Sequence, residues 1–176
     1  MAIDESTFEQ AVKAHHESLF RFAWSLTHCE ADASDLTQET YRRLAQKGHQ
    51  IQHPSKLKSW LFTTLYRHFL DSRRAAQRHP EVDLAEVQAE MPGTAPDPGE
   101  QIDAAAAVEA LQQVDEVFRA PLALFYLGEH SYQEVADILG VPIGTVMSRI
   151  HRGKVLLRHA LTNEHPAQPS KTALIL

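Results

Sequence analysis

Apolar residues recur every three or four positions over much of this chain, the period of a helix packed along one side. Phe8, Val12, His15, Leu19, Phe22 and Leu26 are spaced four, three, four, three and four apart and predict a helix over 7–27. A second helix is expected over about 33–47, with Asp32 as its cap and Gly48 as its stop. Ile51 to Pro54 reads as a connector. A third helix follows over 55–78, with Leu57, Leu61, Leu65 and Phe69 on its core stripe and Trp60, Phe62 and Tyr66 beside it. It must end before Pro80, because the residue preceding a proline is pushed out of the helical region. These three helices predict an N-terminal bundle.

Residues 80–100 break the pattern. The segment MPGTAPDPG within them holds three prolines and two glycines, the composition of a linker. Helical periodicity resumes at about 101 with an alanine-rich start, and 115–127 reads as an apolar helix bent by Pro121. The stretch SYQEVADILGVPIGTVMSRIHRGKVLLR, 131–158, then carries a denser set of signals. Ser131 and Glu134 form a capping box that starts a helix. Val135, Ile138 and Leu139 give that helix an apolar face, and Ala136 is small where a second helix must cross. Gly140 supplies the tight turn, and Pro142 suits a first helical turn, where its missing N–H costs nothing. In the next helix Val146, Ile150, Gly153, Leu157 and Leu161 share one stripe, while Ser148, Arg149, His151, Arg152, Lys154 and Arg158 occupy the other faces. A helix buried on one stripe and cationic elsewhere suits a major groove flanked by phosphates, so the reading is a helix-turn-helix. The expected fold is all-α: two small helical domains, 1–79 and 101–162, joined by a flexible acidic linker at 80–100, the second a helix-turn-helix. A tail at 163–176 completes the chain.

A formal charge of −6 looks wrong for a nucleic-acid binder until its distribution is read. Residues 56–79 hold six Lys/Arg and one acid, and 142–161 hold four and none. Residues 80–118 hold ten acids and no base, and 1–39 hold eight acids against two bases. Charges act over about 8–10 Å in physiological salt, so patches matter more than the sum. The acidic segment is expected to compete with phosphates for the two basic surfaces.

Other classes find little support. A single cysteine, Cys29, excludes an intramolecular disulfide and favours a reducing compartment. The opening residues MAIDESTFEQ lack the apolar core of a signal peptide, and no apolar run reaches the roughly 18 residues that span a bilayer. A cytoplasmic location without membrane insertion is therefore expected. His15, His16, His28 and Cys29 do not have zinc-ligand spacing, and no nucleophile–base set, phosphate loop or carboxylate pair stands out. Neither catalysis nor a cofactor is expected.

Three elements in order, DLTQETYRRLAQ, WLFTTLYRHFLDSRR and FRAPLALFYLGEHSYQEVADILGVPIGTVMSRIHRGKVLLR, resemble bacterial sigma factors of the extracytoplasmic-function class. The resemblance covers about 5–162. It implies a protein that joins core RNA polymerase, directs it to promoter DNA and helps open the duplex; the bundle corresponds to region two and the C-terminal domain to region four. Asp35, Gln38 and Glu39 lie on one helix face, and the resemblance implies that this face docks on the polymerase's clamp helices. Aromatics interleaved with cations suit unstacked bases and their phosphates. Lys56, Lys58, Trp60, Tyr66, Arg67, Arg73 and Arg74 are accordingly implied to meet the downstream promoter element, although Trp60 and Phe69 read more readily as core and the five cations as the better candidates for direct contact. Thr145, Ser148, Arg149, His151, Arg152 and Lys154 are implied to meet the upstream element. The chain departs from the family pattern at Arg67, where asparagine is usual, and at Met147, where a cation is usual. Asp115 and Phe125 replace a commoner proline and arginine. An anti-sigma factor is a further partner that such a protein can have. A stand-alone helix-turn-helix regulator explains 131–158 but leaves DLTQET and the basic third helix unexplained.

Overall fold

The computed structural model describes residues 4–51, 53–78 and 104–162. The linker expected at 80–100 and the tail expected at 163–176 lie outside them. The described residues form α1 (Glu5–Thr27), α2 (Glu30–Lys47), α3 (Leu57–Arg78), α4 (Ala104–Gln112), α5 (Glu116–Tyr126), α6 (Tyr132–Leu139) and α7 (Ile143–Thr162), with short 3-10 turns at Gly48–Gln50 and Pro54–Lys56. No strand occurs among them, as the periodicity implied.

Helix starts follow local chemistry. The Asp4 carboxylate accepts from the Thr7 N–H at 2.9 Å and begins α1 slightly before the first periodic residue. α1 ends where His28 turns left-handed at φ 58°, its N–H bonded to the Trp24 carbonyl. The chain reverses at once, and α2 starts at Glu30 with extended Cys29 as its N-cap. Asp32 is therefore not the cap that the sequence suggested. It lies inside the first turn with Glu30, where a carboxylate favours the helix dipole. Gly48 ends α2 as expected, in right-handed geometry that leads into a 3-10 turn. Asp115 caps α5, which runs unbroken through Pro121. The capping box at Ser131 and Glu134 is present in both directions, and Gly140 takes φ 66°.

α1, α2 and α3 pack into the N-terminal bundle, and α4 to α7 pack around one another as the second unit. Leu19, Phe22, Leu44, Leu61, Phe62 and Leu65 are fully buried in the first; Leu111, Leu122, Leu124, Val135, Val146 and Ile150 are fully buried in the second. Burying each such large side chain is worth about 1.5–3 kcal/mol. Phe62 thus belongs to the core instead of flanking it, whereas Leu57 is only partly buried. Gly153 lets α7 approach α5: a Cβ there would stand 2.7 Å from Leu122 Cδ1.

The two units meet, with α1 against α4 and α5, and α3 against α6. At this joint the His130 ring stands edge-on to Phe62, centroids 4.6 Å apart. His130 is 2% exposed, and neither ring nitrogen has a hydrogen-bond partner. The Glu134 carboxylate lies 4.0 Å from Nδ1. Gly128 is required beside it, because a Cβ would come within 2.7 Å of both the His130 ring and the Leu124 carbonyl.

Burial pushes the His130 imidazole down to about 4; Lys58 and, less strongly, His15 push the same way, and Glu134 opposes them. The unfolded chain, at the ordinary value of 6.5, takes the proton first as pH falls. Stability is therefore complete near neutrality and is lost as pH drops through that interval. Lowering pH from 7 to 5 should cost about 2 kcal/mol through this group alone. His130→Leu should flatten that fall in a denaturation series across pH, with His15 and His28 supplying what remains; an unchanged slope would remove His130 as the cause.

Candidate functional site

The basic surface of the bundle is the outer side of α3 and the turn before it. Lys56, Arg67, Arg73 and Arg74 are exposed, and Lys58 is half-buried. The aromatic residues among them mostly serve packing. Phe69 is buried, and Trp60 and Tyr66 are partly buried against the core. Tyr66 stacks on Phe69 at 6.4 Å, and the Arg73 guanidinium lies over the same ring, 5.7 Å from its centroid. Burial raises the Tyr66 hydroxyl pKa, Glu116 adds to the effect, and Arg149 and Arg73 oppose it.

Two of these cations are engaged by the second unit. Arg73 pairs with Glu116 at the start of α5. Lys58 donates to the Glu129 carbonyl at 3.3 Å. Arg74 pairs with Asp71 on its own helix at 3.4 Å. Arg67 lines a groove of about 360 Å³ between α3 and the Gly140 end of α6.

On α2, Asp35 and Gln38 are exposed together, and Gln38 reaches only Ser34 on its own helix. Glu39 differs from its two neighbours. Arg42 grips its carboxylate at 2.6 and 2.8 Å, and Arg43 adds a bond at 2.8 Å. The Arg42 hydrogen bond, followed by that of Arg43, holds the carboxyl down at about 2. Arg43 also donates toward His68 Nδ1 at 3.2 Å, tying α2 to α3. Asp35, Gln38 and Glu39 line a cleft of about 1260 Å³ whose far wall includes Arg73, Glu116 and Arg119. The structure thus brings the Asp35, Gln38 and Glu39 face and part of the basic helix onto one cleft.

In α7 the candidate residues divide by exposure. Ser148, His151 and Arg152 are exposed, while Thr145, Arg149 and Lys154 are half-buried. The Ser148 hydroxyl donates to the Thr145 carbonyl at 2.9 Å. Lys154 Nζ lies over the rings of Phe125 and Tyr126, at 5.4 and 5.7 Å from their centroids. Phe125 therefore provides a ring face where the resembling family commonly has a cation. His15 is half-buried, while His16, His28 and Cys29 are exposed.

Three residues that organise the joint gave no usable signal in the sequence. Glu116 was one acid among ten in its segment. His130 stood outside every periodic stripe. Arg119 reads as an ordinary cation on an apolar helix, yet it is buried and donates to the carbonyls of Leu111, Gln112 and Val114. Its remaining amino group meets His28 Nε2. An arginine surrounded by apolar residues was the only hint.

The model of sigma-70 region 2 matches residues 11–79, and that of sigma-70 region 4 matches 104–157. A helical bundle and a helix-turn-helix of these kinds, in this order, define a transcription-initiation factor of the sigma type. The chain belongs to the extracytoplasmic-function family of RNA polymerase sigma factors. Over 95% of its length it is 34% identical to the ECF RNA polymerase sigma factor SigE of Mycolicibacterium smegmatis, of whose length it spans 66%. It is 30% identical to SigL of Mycobacterium tuberculosis, covering 91% of this chain and 92% of that one. Among solved structures, the sigma factor RpoE in complex with the anti-sigma factor NepR from Bartonella quintana matches with a TM-score of 0.70 at 28% identity, over 90% of this chain and 98% of that one. CnrH in complex with the cytosolic domain of CnrY shares the fold, with a TM-score of 0.63 at 22% identity.

Proposed function

We propose that this chain binds core RNA polymerase through α2, places it at promoters through α3 and α7, and assists strand opening while the polymerase supplies the chemistry. The observation that carries the reading is the pairing of an exposed Asp35–Gln38 face with two cationic helices, each in the unit where a sigma factor needs it. Domain limits of 1–79 and 101–162 accommodate the matched stretches 11–79 and 104–157. No helix among the described residues is long and apolar enough to cross a membrane. Work on promoter DNA places this reading in the cytoplasm. An anti-sigma factor belongs to this reading as a partner, because the similar RpoE was solved with one.

Within α7, Arg152 is the better placed base reader, since it is exposed and Arg149 is half-buried. On α3, Lys56 and Arg67 stand ready for phosphates, whereas Lys58 and Arg73 must first leave Glu129 and Glu116. The free chain therefore holds part of its basic surface in reserve. Glu116 lies in the acidic stretch 80–118, and its pair with Arg73 supports the competition expected of that stretch. The other acids named by charge, Glu81, Asp83, Glu86 and Glu90, lie outside the described residues.

Asp35→Ala with Gln38→Ala should weaken core binding at least tenfold in a pull-down titration and leave the melting temperature within a degree or two, since exposed polar changes cost little stability. Full affinity for core would end the assignment of this face, and duplex binding indifferent to polymerase would favour a stand-alone regulator. Glu116→Gln should raise the free chain's affinity for promoter DNA by up to about fivefold at low salt, the worth of an exposed ion pair. No change at low salt would make that pair a structural contact alone.

A further inference from the structure

The recognition helix carries an apolar strip that its neighbours do not use. Ile143 and Met147 lie one turn apart on the exposed side of α7, at 39% and 48% exposure. His151 continues the line one turn further, and Ser148 and Arg152 stand beside it, all exposed. Gly144 lies next to the strip, and a Cβ there would meet nothing within 4 Å. The surface is open at the turns where a helix-turn-helix meets base edges.

The strip can be matched to a ligand by charge and by chemistry. From 142 to 161 the chain has four Lys/Arg and no acid, so the face that carries Met147 suits a polyanion. A thioether offers nothing to a phosphate, and it cannot compete for the hydrogen-bonding edge of guanine. The major groove presents one apolar group, the C5 methyl of thymine. Ser148 has already directed its hydroxyl proton to the Thr145 carbonyl, so it competes little for that edge. We propose that Met147, supported by Ile143, reads the C5 methyl of a thymine in the upstream promoter element. The proposal rests on the DNA-binding reading of α7 and adds to it a base and the atom recognised.

The test uses the full chain assembled with core polymerase. Preferred upstream sequences are first selected from duplexes randomised at that element. Each thymine is then replaced by deoxyuridine, which removes the methyl and leaves the hydrogen-bonding groups in place. Burying one methyl corresponds to about a fourfold change in affinity. One thymine should therefore show about a fourfold preference over deoxyuridine, and Met147→Ala should reduce that ratio to about one. Met147 is exposed, so the variant should keep its melting temperature. Arg152→Ala should bind more weakly and yet retain the discrimination. Selective binding in which no thymine methyl matters would overturn the proposal and leave the promoter-reading function intact. A ratio that survives Met147→Ala would overturn it equally. Failure to select any preferred sequence would overturn both.

Discussion

A guanidinium taken out of water needs an acceptor wherever it donates, and Arg119 finds its full set only while both halves of the chain stay together. Nε and one amino group bond to the carbonyls of Leu111, Gln112 and Val114, which closes the end of α4 against α5. The other amino group meets His28, the left-handed residue that ends α1. A guanidinium buried without partners costs several kcal/mol, so the contacts are obligatory once the helices are packed. Because arginine can only donate, His28 must accept, and its imidazole is held neutral. Although the residue as a whole is exposed, partial burial of its ring and, next, Arg119 lower its pKa, against a smaller push from Glu116. With α5 laid along α1 in this way, Glu116 arrives at Arg73 and Gly128 slides under Phe62.

α3 consequently serves two masters. Its inner side supplies Leu61, Phe62 and Leu65 to the core, and its outer side supplies cations. The joint draws on both: Phe62 receives His130, and Lys58 and Arg73 receive Glu129 and Glu116. In the proposed function the same cations meet nucleic acid, so domain closure and promoter contact draw on one set of groups. The cleft beside Asp35 and Gln38 has α5 residues on its far wall, so under the proposed function polymerase docking at that face must displace or accommodate the second unit.

The elements were legible wherever the deciding chemistry is local. The capping box at Ser131, the left-handed Gly140 and the stripe from Val146 to Leu161 involve residues close in sequence, and the helices appear where the pattern placed them. The boundary at Asp32 failed because the reversal at His28 and Cys29 is set by a left-handed residue other than glycine, which has no sequence signature. The site was legible as a set of faces and much less so as a geometry. Asp35 and Gln38 are open as their spacing suggested. Glu39 shares their face yet is neutralised by Arg42 and Arg43, a choice among rotamers that spacing does not determine. Trp60 and Phe69 read from the sequence as packing residues before base-stacking ones, and both rings do pack against the core. Contacts that join the halves, such as Arg73 with Glu116, bridge forty-three positions and leave no trace in any local window.

Two glycines at the two ends of this joint are needed for opposite reasons. At 140 the constraint is torsional: φ is +66°, and the space where a side chain would go is empty. Asparagine, which tolerates left-handed geometry, could stand there with modest strain. At 128 the constraint is volume: a single added carbon meets a ring, a carbonyl and a second ring at once. The turn that divides the DNA-reading helices is thus negotiable by mutation, while the seam between the halves is not. Sequence drift in chains of this architecture would be absorbed by the turn, and the seam would keep its hydrogen.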